Sequence, residues 1–297
     1  MDPLSKNKRR AYFVILFIVF IISAPFFIFD AKGYRFNLKD YFKIYETGGL
    51  YISTDQSGIE IYVNSELVRK TNIVQKSIFV QDLKPSTYEI SVSKEGLQSW
   101  RKTLRVFPEL VTEARPFLMK SKLTLTEISR FLDSGGNAVG TSSEKIQTKN
   151  SDYDLVNTLF LAPTSKSVSV ATSTKSATTS ANSKSVRKLS VKNEGGRLRV
   201  SWTGEIDSIP SYFCDGTICK SEIFINNANN IKSFDFFPGR DDLLIVRLPD
   251  GIYVTEIDDR SPQNIQKIIS GAGFDFRVRD GSELYFKDGI KLYSVSL

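Results

Sequence analysis

From residue 48 onward the chain is written in short alternations. In 59–64, Ile59, Ile61 and Val63 alternate with Glu60, Tyr62 and Asn64, a period of two that predicts a strand with one buried face. The neighbouring runs LYIST, SIFVQD, TYEISVSK and TLRVF share this character: each is short, rich in β-branched and aromatic residues, and bounded by turn residues. Over 48–119 the pattern predicts a small β-sandwich.

A different pattern precedes it. Residues 11–29 (AYFVILFIVFIISAPFFIF) form an uncharged run of 19 residues, apolar on every side. At about 1.5 Å per residue this gives roughly 28 Å, close to the thickness of a bilayer's hydrocarbon core. Lys6, Lys8, Arg9 and Arg10 stand directly before it, a flank that stays on the cytoplasmic side and sends the C-terminus outward. The run is longer than the apolar core of a cleaved leader, and Pro25 after Ala24 disfavours cleavage there. The expected organisation is a cytoplasmic tail (1–10), a transmembrane signal anchor (11–29) and a juxtamembrane segment (30–47).

Beyond the sandwich the pattern weakens. Residues 120–186 read as a linker with short apolar pieces at LTLTEISRFL and at 155–162. Within 164–188 there are 8 Ser, 5 Thr and five basic residues, with no acidic or aromatic ones. Such a stretch buries too little apolar surface to offset its ordering entropy, so a long loop or disordered stalk is expected.

Residues 187–297 carry an internal repeat. Phe234-Asp235-Phe236 recurs as Phe274-Asp275-Phe276, and Asp250-Gly251-Ile252 recurs as Asp288-Gly289-Ile290. The better-formed unit reads IKSFDFF, DLLIVRL, GIYVTEI, NIQKIIS: four strands in the length of a β-propeller blade. KLSV and RLRVSW open a third such unit. Hairpin tips are expected at Pro249-Asp250-Gly251 and Lys287-Asp288-Gly289. Three blades are fewer than the four or so that a closed propeller needs. The alternatives are a fourth blade from 121–162, a partner completing the ring, or an open stack of β-meanders. The fold class is thus an all-β ectodomain behind one transmembrane helix, a small sandwich followed by propeller-like meander units.

The absence of histidine changes the functional picture most. It removes Ser-His-Asp and Cys-His chemistry and the commonest metal ligand, so no enzyme, catalytic residue, cofactor or metal site is expected. Carboxylates are the remaining candidates: Asp241, Asp242, Asp258 and Asp259 lie beside Arg240 and Arg260, where turn formation and ion pairing are the ordinary roles. The two cysteines, Cys214 and Cys219, bracket Asp215-Gly216-Thr217-Ile218, a tight turn that predicts a hairpin closed by a disulfide. The formal net charge is +7, and 1–10 holds four basic groups against one acidic. The remainder is only mildly basic, which suits anionic wall polymer or lipid headgroups and gives no nucleic-acid footprint.

Two segments carry a family resemblance: SGIEIYVN (57–64), and LKPSTYEISVSKEG (83–96) with Trp100 beyond it. Together they resemble the PEGA domain, a small β-sandwich module of bacterial and archaeal surface and membrane proteins. The namesake turn departs from the family, with Gln56, Ser57, Gly58 and Ile59 in its place and Ser86 where a glycine is usual. The resemblance implies an interaction or spacer module with no catalytic residues to carry over. Trp100 is either a ligand platform, since an exposed indole stacks on sugars, or an aromatic of the core or a domain contact. The expected function is a membrane-anchored binding or scaffolding protein of the cell envelope that contacts wall polymer, glycan or another envelope protein; an oligomer is compatible with the pattern. The alternatives are an assembly or sensor component working through a membrane partner, and a carboxylate-based hydrolase.

Overall fold

A computed structural model describes residues 6–31, 34–37, 43–129, 150–161, 183–186, 188–226, 228–279, 283–289 and 291–296. Helix α1 (Lys6–Ala31) has no buried residue and is long and apolar enough to cross a membrane. Its Pro25 lacks the N–H that would complete the helical ladder. A hairpin of β1 (Tyr34–Asn37) and β2 (Lys43–Glu46) follows, with the Tyr34 hydroxyl donating to Glu46.

The sandwich is built from β3 (Gly48–Ser53), β4 (Glu60–Val63), β5 (Glu66–Lys70), β6 (Ser77–Leu83), β7 (Ser86–Ser93), β8 (Trp100–Val106) and β9 (Val111–Ala114). One sheet has the order β6-β3-β9, with β9 parallel to β3; the other is the antiparallel β5-β4-β7-β8. Asn64 and Ser65 both adopt positive φ, so the β4–β5 connection has the twist that suits a two-residue hairpin. Strand β8 alternates strictly, with Trp100, Lys102, Leu104 and Val106 inward. A lysine therefore occupies a core position in an otherwise apolar series.

Next come β10 (Thr126–Ser129) and α2 (Asn150–Leu161), then three four-stranded sheets. The first joins β11 (Ser183–Val186), β12 (Leu189–Glu194), β13 (Arg197–Trp202) and, after a small hairpin of β14 (Cys214–Asp215) and β15 (Ile218–Cys219), β16 (Glu222–Phe224). The second is the meander β17 (Ser233–Phe236), β18 (Leu243–Leu248), β19 (Gly251–Glu256) and β20 (Ile265–Ser270). The third runs β21 (Phe274–Arg279), β22 (Glu283–Asp288) and β23 (Lys291–Ser296), and β10 supplies its fourth strand by pairing with β23. The expected hairpins β18–β19 and β22–β23 are present, with Leu248 opposite Gly251 and Asp288 opposite Lys291.

The linker expected over 120–186 therefore needs correction. It contributes β10 to the last sheet and β11 to the first, and α2 covers the outer face of the last sheet through Val156 against Tyr285 and Leu292. Of the Ser/Thr-rich stretch, 164–182 and Arg187 lie outside the described residues.

The second sheet is central. Leu243, Ile245, Ile252 and Val254 join a core with the sandwich and the third sheet, whereas Leu244 and Val246 join a core with the first sheet. Burial on both faces explains the unbroken apolar run in β18. The repeated aspartates reach back across these interfaces: Asp235 pairs with Lys184 of the first sheet, and Asp275 lies 3.6 Å from Arg247 of the second. At one end of the series, the first sheet's outer face carries the Arg199, Glu194 and Glu222 ion pairs; at the other, the third sheet is covered by α2. Among the described residues the sheets stay separate and close into no barrel or propeller.

Candidate functional site: a buried charged junction

The inward lysine of β8 leads to the most polar buried place in the chain. Lys102 Nζ is fully buried and lies 2.7 Å from Glu256 Oε1, at the end of β19, and 3.3 Å from Asp258 Oδ2 in the β19–β20 loop. It also donates to the carbonyls of Asp258 (3.0 Å) and Arg260 (2.9 Å). An ammonium removed from water needs its donors satisfied by protein acceptors, and here every acceptor comes from the second sheet.

The acceptors are themselves held. Glu256 receives the indole N–H of Trp100 (3.0 Å), the Asn264 backbone N–H (2.6 Å) and the Asn264 side-chain amide (2.7 Å). Asp258 takes a two-pronged contact from Arg260, at 2.9 and 2.7 Å, and Arg260 reaches on to the carbonyl of Glu113 in β9 (2.8 Å). Around this centre the backbones are stitched by amides. Gln266 accepts from the Met119 N–H (2.7 Å) and donates to Phe117 (3.0 Å) and Ser99 (3.2 Å). Gln98 exchanges two bonds with the backbone of Lys267, at 2.7 and 3.1 Å.

A second node lies beside it. Arg240 makes two contacts of 2.6 Å to Asp242, one of 2.6 Å to Asp55 of the sandwich, and one of 3.0 Å to the carbonyl of Arg115. Between the nodes is a small cleft of about 30 Å³ edged by Ser211, Tyr212, Asp242 and Asp258, enough room for a water or two. The buried Tyr212 hydroxyl at its wall has no partner among the described residues.

Burial and charge act in opposite senses on the acids. Burial pushes the Glu256 carboxyl above its usual range, and nearby Asp258 adds to this, while Lys102 offsets only part. For Asp258, burial also acts upward, but the hydrogen bonds and charge of Arg260, with Lys102, outweigh it and hold the carboxyl below its usual range. Burial disfavours the Arg240 guanidinium, yet Asp242 and Asp55 hold its pKa above the ordinary value. Tyr212 is pushed upward by burial and then by the Asp242 and Asp241 carboxylates.

This arrangement fastens surfaces together. The candidate carboxylates are each engaged: Asp242 by Arg240, Asp258 by Arg260 and Lys102, Asp259 by Lys220 at 2.9 Å, and Asp241 with Arg115 at 4.0 Å. Among the described residues no group of three or more His, Cys, Asp and Glu is suited to a metal. Trp100 is only 1 % exposed, and its indole is committed to Glu256, so it offers no open face to a sugar. Its place is the contact between sandwich and second sheet. Cys214 and Cys219 are opposite each other in the hairpin and joined by a disulfide. The tip of that hairpin brings Gly216 against the Phe107 ring of the sandwich. The residues that the sequence reading passed over are Lys102, Glu256, Asn264 and Gln266; the one signal was the inward lysine between Trp100 and Leu104.

Residues 47–122, which hold the two-sheet unit, match the PEGA domain family. That match covers the sandwich and the segment up to Lys122, leaving the three four-stranded sheets outside it. No curated protein matches the chain.

Proposed function

We propose that this chain is a non-enzymatic, membrane-anchored scaffolding or binding protein of the cell envelope, whose PEGA unit and meander sheets act as one rigid body. The observation that carries this reading is the junction at Lys102, where buried ion pairs and amide contacts join the sandwich to the second sheet. A flexible string of beads would not require such matched, buried contacts. The apolar helix α1 behind Lys6, Lys8, Arg9 and Arg10 supports an anchor with the folded part outside the cytoplasm, and the Cys214–Cys219 disulfide fits an oxidising compartment. The absence of histidine and the pairing of the candidate aspartates favour binding over hydrolysis.

The meanders read as propeller-type blades in an open stack. Their polar or helix-covered outer faces speak against a partner completing a ring. The contacts in the envelope would be wall polymer, glycan or another envelope protein.

The test is binding of the detergent-solubilised chain to purified wall polymer and glycan at low and high salt. Saturable binding that survives high salt is expected; binding lost with salt reduces the contact to mild positive charge. No binding to either, with retention of a specific membrane protein during purification, would transfer the reading to the assembly role. Rigidity is tested separately: after a protease nick between 122 and 183, the fragments should co-elute in native gel filtration. Fragments that separate would refute the single body.

A further inference from the structure

The sandwich has one side fastened to the second sheet through β8 and β9 and another side left open, where β5 and β6 are the sheet edges. The connection between those edges carries the most exposed apolar pair of the sheet-built part among the described residues: Ile73 is 83 % and Val74 95 % exposed. Such a pair in water is unfavourable, and here the turn beneath it is firmly built. Asn72 Oδ1 accepts the N–H groups of Val74 (3.0 Å) and Gln75 (2.7 Å), and the buried Thr71 hydroxyl accepts the Ile59 N–H (2.9 Å). Arg69 ties to Gln75 at 2.9 Å. The turn thus holds two β-branched side chains outward on a braced tip.

Charge identifies what the tip faces. From 67 to 81 the chain holds Arg69, Lys70 and Lys76 and no acidic residue. Lys94, donating to the Ser57 carbonyl, stands in the next loop at the same end of the unit. Of the acids at this end, Glu60 is paired with Lys70 and Asp55 with Arg240, which leaves Glu95, exposed beside Lys94, against the four basic groups. Apolar residues at a tip with a cationic collar match the boundary between anionic headgroups and acyl chains. A second copy pairing along β5 is disfavoured, because that strand is broken by a bulge at Val68 and carries Arg69 and Lys70 on its edge.

We propose that the 71–76 turn is a membrane-dipping tip that inserts Ile73 and Val74 into a bilayer surface rich in anionic lipid. This rests on the anchored reading above, since α1 is what keeps the unit beside a bilayer. The insertion would lay the sandwich on the membrane as a second point of attachment and set the direction in which the meander sheets project.

The experiment uses the full chain reconstituted in vesicles of phosphatidylcholine alone or mixed with phosphatidylglycerol. Because the native cysteines are joined, a V74C variant presents one thiol for a nitroxide label. Label accessibility to oxygen relative to a water-soluble nickel complex should rise several-fold in the anionic vesicles. It should stay aqueous in the neutral ones, in an Arg69→Gln/Lys76→Gln background, and at a control label introduced by D207C. An aqueous label at 74 in anionic vesicles that carry the chain on flotation overturns the tip. Shielding that ignores lipid charge and shows spin–spin coupling also overturns it and assigns the turn to a second copy. A chain that floats with neither vesicle refutes the anchor and the tip with it.

Discussion

Replacing Lys102 by Met removes the centre of the junction while keeping much of its volume. The side chain is fully buried, and four acceptors lose their donor: two carboxylates and the carbonyls of Asp258 and Arg260. Asp258 retains Arg260, and Glu256 retains Trp100 and Asn264, so the carboxylates are weakened rather than abandoned. Breaking one side of a buried ion pair costs about 3–5 kcal/mol, which is the expected loss. For a folded part of this size that lowers Tm by roughly 6–20 °C, at about 2–4 °C per kcal/mol. Glu256→Gln should cost less, because Lys102 keeps Asp258 and both carbonyls. Adding Glu256→Gln to Lys102→Met should then recover part of the loss, giving a coupling of at least about 1 kcal/mol between neighbours. Trp100 reports the transition directly once Trp202 is replaced by Phe, with denaturant unfolding followed by fluorescence in detergent. A loss under about 1 kcal/mol, as for a surface pair, or strict additivity in the double variant, would refute the junction as the fastening element.

The opposed shifts of Glu256 and Asp258 give the junction a two-sided pH dependence. Glu256 is raised above its ordinary 4.5, so its stabilising share is complete below that value and is lost as pH rises through the folded value. Asp258 is held below its ordinary 3.8, so its share is present above that value and is lost as pH falls through the folded one. Tm measured against pH should rise from neutral toward mild acid and then fall; the rise should vanish in E256Q, and an unchanged profile there would contradict the assignment. Cys214→Ser with Cys219→Ser should cost about 2 kcal/mol for so short a loop, read by thermal unfolding. Free-thiol labelling of both cysteines under denaturing, non-reducing conditions would rule the bridge out. Gly216→Ala should cost at least about 1 kcal/mol, since its φ is +64° and a Cβ would meet the Phe107 ring at 2.9 Å; an unchanged Tm would show that the hairpin tip does not bear on the sandwich.

What could be read from the sequence was what is local. The period of two in 59–64, the apolar run of α1, the Cys-Asp-Gly-Thr-Ile-Cys turn and the hairpin tips all concern residues near one another, and their geometry follows from backbone preference and side-chain alternation. The junction is a different kind of object. Trp100 reads equally as a platform or a core residue until its indole partner is known, and that partner lies 156 positions away. Lys102 is visible only as a charge in an inward position of β8, and a single such break has no meaning before the second sheet supplies Glu256 and Asp258. The same distance hid β10: Thr126–Ser129 has no pattern of its own beyond four residues, and its identity as a strand comes from pairing with Leu292, Tyr293 and Ser294 at the far end of the chain.

The Phe-Asp-Phe repeat lies between these cases, because its recurrence was legible but its work was not. Each aspartate acts both locally and across a sheet interface, and Asp275 also pairs with Arg277 of its own strand at 3.0 Å. Asp235 Oδ1 accepts the Phe236 N–H at 2.9 Å while its other oxygen meets Lys184; Asp275 Oδ1 accepts the Phe276 N–H at 2.9 Å and faces Arg247. The local bond fixes the aspartate side chain within the first strand of its sheet, and the ion pair reaches the sheet before it, so one short motif registers each sheet on its predecessor. Both aspartates are about a quarter to a third exposed, so solvent screening limits each contact. Asp235→Asn and Asp275→Asn should each lower stability by about 0.5–1 kcal/mol. Since the two contacts lie at different sheet interfaces, the double variant should equal the sum within about 0.5 kcal/mol. Equilibrium unfolding of the four proteins decides it. Two neutral substitutions would mean that the motif recurs for its phenylalanines alone, and a large non-additive loss would mean that the two interfaces are coupled through the second sheet.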